Sequence, residues 1–115
     1  AFKALTGAHR LNAQVNQTIR IYFADGGPDF ISSFHIIGEI FNRVWQYGDL
    51  TDAPLHGVQT VLVPPGACVV VDLTLEYPGD YVLVDHALLH AVDMGAVGIL
   101  HVTGPANSTI FNPGM

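Results

Sequence analysis

Six histidines (His9, His35, His56, His86, His90 and His101) and a single cysteine, Cys68, are the side chains best suited to hold a metal or move a proton. Copper and zinc both favour imidazole nitrogen, and a mononuclear site needs three or four converging ligands. Imidazole is also the side chain whose ordinary pKa, about 6.5, suits proton supply near neutrality. Two of the six stand in distinctive surroundings. His35 lies in Ser32-Ser33-Phe34-His35-Ile36-Ile37-Gly38-Glu39-Ile40-Phe41, and His86 in Leu83-Val84-Asp85-His86-Ala87-Leu88-Leu89-His90. Each follows an apolar, strand-like run. The spacing His86-x3-His90 would set two imidazoles on one face of a helical turn, but such a pair also arises by chance. Asp85 reads as a strand-end carboxylate that orients a neighbour or caps the next turn. His9, His56, His90 and His101 read as surface or interface histidines. Spacing alone leaves His35 and His86 open between satisfied core histidines and working groups.

Strands must position these residues. Ile19, Ile21 and Phe23 alternate with Thr18, Arg20 and Tyr22, so one face of that segment is buried. Asp25-Gly26-Gly27-Pro28-Asp29 is a turn signal, followed by a strand from Phe30 to Ile37. Arg43 to Tyr47 reads as a short strand, Gly48 to Gly57 as a polar loop, and Val58 to Val63 as a strand stopped by Pro64-Pro65-Gly66. Val69, Val71, Leu73 and Leu75 are expected to point inward, with Val70, Asp72, Thr74 and Glu76 outward. Cys68 is expected to be a half-buried small residue at the start of that strand. Pro78-Gly79-Asp80 turns the chain into Tyr81 to Asp85. Ala87 to Val92 reads as a helical turn and Ala96 to Val102 as the closing strand. About seven short strands separated by turns predict an all-β, Greek-key β-sandwich in a single domain, with Ile19, Ile21, Phe23, Val69, Val71 and Leu73 in its core. That domain is expected to span 1–103. Residues 104–115, with two prolines and no periodicity, read as a C-terminal arm that is frayed or packs on a neighbouring subunit.

Composition narrows the function classes. Half of the 115 residues are hydrophobic and only 12% charged, with 12 Gly and 7 Pro, which suits a turn-rich β domain. A net charge of -6 with four Lys+Arg excludes a phosphate-tracking surface, so no nucleic-acid partner is expected. One cysteine allows no intrachain disulfide. No apolar run reaches the ~20 residues of a membrane span. The start, Ala-Phe-Lys-Ala-Leu-Thr-Gly, has no apolar signal segment, as a mature or excised fragment would lack. Asn16-Gln17-Thr18 and Asn107-Ser108-Thr109 match the short glycosylation sequon, which also recurs by chance.

A blue-copper site needs a cysteine thiolate, two histidines and usually a weak axial methionine. Compared with the His-Cys-His-x3-His motif of multicopper oxidases, Val84-Asp85-His86-Ala87-Leu88-Leu89-His90 puts Val84 in place of a histidine and Asp85 in place of the cysteine. Cys68 lies on a different strand and cannot substitute. The earlier oxidase motif, His-x2-His-x-His-Gly, keeps only His35 in Ser32-Ser33-Phe34-His35-Ile36-Ile37-Gly38. One histidine per motif is too few for a trinuclear cluster, and no type 1 copper is expected in this domain. That residue pattern resembles the second, C-terminal cupredoxin domain of copper-containing nitrite reductases. The resemblance extends through Arg20-Ile21-Tyr22-Phe23, Gly26-Gly27-Pro28, Val58-Gln59-Thr60, Leu62-Val63-Pro64 and Gly95-Ala96-Val97-Gly98. Its most specific parts are Ser32 to Phe41 and Leu83 to His86.

The resemblance implies a cupredoxin-like fold and a set of roles. His86 would be the third histidine ligand of a type 2 copper whose other ligands come from the first cupredoxin domain of an adjacent subunit in a homotrimer. His35 would not be a ligand but the catalytic histidine above the copper, working through a water with an aspartate of that partner domain. Ile37 would shape the nitrite pocket, and Thr60 would hold the His35 ring, a task a nearby carbonyl could also perform. Nitrite would be reduced to nitric oxide, with an external electron donor feeding a type 1 copper in the missing first domain. A periplasmic or otherwise exported location goes with that family. Two other readings stay open: a non-catalytic cupredoxin assembly module, and a domain of a multicopper oxidase-like protein.

Overall fold

Among the described residues nine strands follow one another: β1 (Leu11–Gln14), β2 (Thr18–Ala24), β3 (Ser32–Ile37), β4 (Phe41–Gln46), β5 (Leu55–Val58), β6 (Thr60–Val63), β7 (Cys68–Thr74), β8 (Gly79–Asp85) and, after the helix α1 (Leu88–Met94), β9 (Val97–Thr103). The computed structural model describes residues 4–114; residues 1–3, within the start read as free of a signal segment, and Met115, at the end of the expected arm, lie outside them. The strands form a five-stranded sheet, β1-β9-β8-β3-β6, and a four-stranded sheet, β2-β7-β4-β5. All pairs are antiparallel except β1 with β9. Non-consecutive neighbours such as β3 and β8, or β2 and β7, give the expected Greek-key character.

The two inner faces meet in one apolar core. Phe34 stacks between Phe23 and Phe41, with ring centroids 4.2 and 5.3 Å away. Val69, Val71, Leu73 and Leu75 point inward as expected, and all are fully buried. Ile19, Ile21 and Phe23 are packed against the core but only partly buried, because β2 is a sheet edge. The outer face of β7 departs from simple alternation: Val70 and Asp72, expected to be solvent-facing, are 3% and 2% exposed. The reason is cross-strand cover. Val70 lies between Tyr22 and Trp45, and Asp72 between Arg20 and Arg43, in register. Both guanidinium groups bond the Asp72 carboxylate, at 2.6 and 2.7 Å, and both lie over the Trp45 ring. Cys68, expected to be half-buried, is exposed at the rim, where it pairs with Ala24 at the strand end.

Other differences concern the connections. β1, with a burial pattern too short to stand out in sequence, exists through its pairing with β9. Part of the expected Gly48 to Gly57 loop is strand β5. The expected single strand Val58 to Val63 is divided at Gln59: β5 pairs with β4 in one sheet and β6 with β3 in the other. The helix begins one residue later than read and runs to Met94, closed by Gly95 at φ 75°. Beyond Thr103 the chain carries a turn at Asn107 to Phe111 and lies on the surface, its Phe111 ring edge-on to Tyr77 at 5.6 Å.

Candidate active site

β3 and β8 build the site through their register. His35 stands opposite Val84 and Phe34 opposite Asp85. One step further, the His86 N–H donates to the Ser33 carbonyl at 2.7 Å. Side chains alternate along a strand, so Ser33 and His35 share a face, and His86 opposite Ser33 is a diagonal neighbour of His35. The two imidazole centroids are 5.0 Å apart with planes at 46°. His35 is buried while His86 is exposed. The sequence-expected pair is thus brought together, one ring held within the fold and the other open to solvent.

The His35 ring is held from the crossing between the sheets. Its Nδ1 lies 2.6 Å from the Gln59 carbonyl oxygen and 3.4 Å from Thr60 Oγ1. A carbonyl only accepts, so Nδ1 carries a hydrogen in this arrangement and Nε2 is left as the nitrogen that can take up or release a proton. Thr60, expected to hold the ring, stands opposite His35 in register, but the shorter bond is to the preceding carbonyl. Ile37, two residues along the same strand, is 46% exposed. A shallow depression of about 300 Å³ is lined by His35, Gly38, Glu39, Ile40 and Gln59. Gly38, at φ +97°, lets the chain turn off β3 with the Tyr81 ring 3.6 Å from where a Cβ would stand. Burial pushes the Glu39 carboxyl above the usual range, against the lowering effect of a backbone hydrogen bond at Ile40.

Asp85 and His90 form the second cluster. Asp85 Oδ1 accepts from the Ser33 N–H at 3.0 Å and the Ala87 N–H at 3.1 Å, and Oδ2 lies 2.7 Å from His90 Nδ1. The carboxylate therefore both orients a neighbour and secures the next turn. Burial pushes its pKa up, but the His90 contact and the two backbone N–H groups outweigh that and hold it below the ordinary carboxylate range. His90 is mostly covered, not a surface histidine, and its ring lies 5.0 Å from that of Phe30. It does not share a helical face with His86, because α1 starts only at Leu88. His101 bonds Asp80 at 2.5 Å, and His9 and His56 are exposed. The sequence reading allowed a nearby carbonyl to hold the ring without naming Gln59, and it missed Glu39. A backbone carbonyl carries no residue signature, while Glu39 sits in plain view within the Ser32 to Phe41 motif.

Among the described residues, no three His, Cys, Asp or Glu side chains converge as a metal site. The exposed imidazole of His86 has the donor chemistry that copper favours, and a mononuclear copper site would need further ligands beside it.

No family model matches the chain. It is 41% identical over 108 residues to the copper-containing nitrite reductase of Neisseria meningitidis serogroup A, a match covering 93% of this chain and 27% of the relative. Among solved structures, the copper nitrite reductase of Nitrosomonas europaea superposes with TM-score 0.77 at 32% identity, over 84% of this chain and 33% of that one. The copper-containing nitrite reductase of Thermus scotoductus SA-01 gives TM-score 0.77 at 31% identity, over 85% of this chain and 23% of that one. A multicopper oxidase shares the fold at TM-score 0.72 and 24% identity, over 82% of this chain and 32% of that one. Two β-sheets closed on one core, with these neighbours, define a cupredoxin-like domain. Within that class, the chain belongs to the copper-containing nitrite reductases as their second, C-terminal cupredoxin domain. It spans 27% of the length of its Neisseria meningitidis relatives.

Proposed function

We propose that this domain supplies one type 2 copper ligand, His86, and one proton-carrying histidine, His35, to a nitrite-reducing site completed by a first cupredoxin domain of an adjacent subunit in a homotrimer. The observation that carries this reading is the placement of the two rings on one sheet face, 5.0 Å apart, one exposed and one anchored. The reaction is NO2⁻ + e⁻ + 2H⁺ → NO + H2O: one N–O bond breaks, nitrogen gains an electron, and the departing oxygen takes both protons. Copper, when bound, supplies the electron and a position for the anion.

The chain's own residues account for the rest. With Nδ1 bonded to the Gln59 carbonyl, His35 delivers or receives its proton at Nε2, and the ring does not have to be reoriented. Keeping His35 off the metal preserves that nitrogen for proton transfer. Ile37 presents an apolar wall that restricts how nitrite lies and limits surplus water. A chain of net charge -6 does not attract nitrite, so capture depends on local positive charge at the site. Leu88, Leu89 and Val92 on α1 are 50%, 72% and 79% exposed just beyond His86, an apolar surface that suits burial by a partner domain. In the same reading the type 1 copper and entry of electrons from an external donor belong to the first domain, residues 104–115 pack as an arm on a neighbouring subunit, and the protein works in the periplasm or another exported location. Among the described residues no helix is long and apolar enough to cross a membrane.

Substitutions in the assembled, copper-loaded protein test the two roles separately. His86→Ala is expected to empty or disorder the type 2 copper. His35→Ala is expected to keep the copper and lower turnover by ~10²–10⁴-fold, the usual contribution of a general acid–base group. Copper analysis with electron paramagnetic resonance reads both. Loss of copper in His35→Ala would overturn its assignment as a non-ligand. Full, undisturbed type 2 copper in His86→Ala would overturn the shared site and favour an assembly module.

A further inference from the structure

We propose that Asp85 and His90 are a positioning pair for His86: the carboxylate fixes the turn that carries His86, and His90 fixes the carboxylate. The backbone ladder between β3 and β8 ends at Asp85 and His86. In an antiparallel pair, residues of a hydrogen-bonded couple exchange two bonds. His86 donates its N–H to the Ser33 carbonyl, so the reciprocal bond would run from the Ser33 N–H to the His86 carbonyl. Instead, Ser33 N–H donates to Asp85 Oδ1 at 3.0 Å. The side chain thus takes over the last rung, and the backbone is free to leave the sheet immediately after His86 while its ring stays on the sheet face beside His35.

The same oxygen accepts from the Ala87 N–H at 3.1 Å. Ala87 has no side chain able to cap α1, so the turn between strand and helix depends on Asp85 from upstream. The second oxygen completes the arrangement. Oδ2 lies 2.7 Å from Nδ1 of His90, five residues on and within α1, and Phe30 covers the imidazole. β3, β8 and α1 therefore meet at one carboxylate that is 5% exposed. A buried carboxylate with every contact made is rigid, whereas removal of one contact frees the others to rearrange. Outer partners of a metal ligand act in this way, by fixing ring orientation before the metal arrives. Geometrically the pair acts on His86 whether or not copper binds there; only its consequence for copper rests on the function proposed above.

The test begins with the copper-free chain and nuclear magnetic resonance of its histidine rings. The parent chain is expected to show a ring-to-ring nuclear Overhauser contact between His35 and His86. His90→Ala should weaken or abolish it and broaden the His86 ring signals, with the amide spectrum otherwise folded. His90→Asn should restore it, because the Asn Nδ2 stands where the imidazole Nδ1 stood and donates the same bond to Asp85. Asp85→Ala should have a larger effect; where that variant is too unstable to read, the His90 pair of variants decides alone. In the copper-loaded multidomain protein, His90→Ala should weaken type 2 copper binding about 10–100-fold and alter its paramagnetic signature, with His90→Asn close to the parent. An unchanged ring contact in His90→Ala, or His90→Asn no better than His90→Ala, would overturn the proposal. A ring contact that responds as expected while the copper does not would leave the positioning pair intact and remove His86 from the copper.

Discussion

At the scale of single residues, the proton-carrying role proposed for His35 depends on which group holds its far nitrogen. Gln59 O is 2.6 Å from Nδ1 and Thr60 Oγ1 is 3.4 Å away, at the outer limit of a hydrogen bond. Thr60→Val should therefore be mild. Losing so long a bond removes at most about 1 kcal/mol, so turnover of the loaded enzyme is expected to fall by less than about 5-fold. Steady-state rates decide it, and a loss approaching that of His35→Ala would make Thr60, and not the carbonyl, the real anchor. The segments Ser32 to Phe41 and Val58-Gln59-Thr60 exposed the histidine and the threonine in sequence because side chains define motifs. A nearby carbonyl was an expected alternative, but that it is the carbonyl of Gln59 was not legible, since every residue has one and only the strand crossing aims it. Likewise, His90 read as a surface or interface residue because its covering partners, Asp85 at the end of β8 and Phe30 ahead of β3, are brought to it only by the fold.

Among the elements, β7 shows both how far alternation reads and where it stops. The inward row Val69, Val71, Leu73 and Leu75 followed from a period of two. The burial of Asp72 did not, because it depends on β2 and β4 delivering Arg20 and Arg43 to the same rung and on Trp45 lying under both guanidinium groups. The Arg20 hydrogen bond, against the opposing effect of burial, holds the Asp72 carboxyl below the ordinary carboxylate range. The sign follows from that depression: the pair contributes its full stability above the unfolded carboxyl's pKa of about 3.9, and loses it as pH falls through the lower folded value. Asp72→Asn should destabilise the chain by about 1–2 kcal/mol near neutrality, a value tempered by the half-exposed arginines, which regain water when released. Thermal unfolding against pH should show the gap between parent and variant closing below about pH 4. A gap that stays constant down to strong acid would mean that Asp72 acts by packing and not by charge. The split of β5 from β6 was hidden for a similar reason: Val58 to Val63 is one apolar run in sequence, and only pairing with β4 and then β3 assigns its halves to different sheets.

For the whole molecule, a closed core coexists with an open site. The central core residues are buried, but His86, Leu88, Leu89 and Val92 remain at the surface, and no three metal-binding side chains converge among the described residues. Such a domain can fold around its own core and still be incomplete as a metal centre. One imidazole leaves copper's other positions to water, and those weak bonds do not compensate the loss of the metal's hydration and the ordering of the site. The chain by itself should therefore bind copper weakly, with no blue absorption and no nitrite reduction. Adding a first cupredoxin domain that presents further histidines at a cyclic subunit interface should raise both copper affinity and activity together, since ligand set and pocket are completed in one step. Metal analysis and electron paramagnetic resonance on the isolated, monomeric chain provide the measurement. A stoichiometric, well-defined copper signal there would show that a site forms within the chain, through His86 with His35 or another pair, and that no partner is needed to build it.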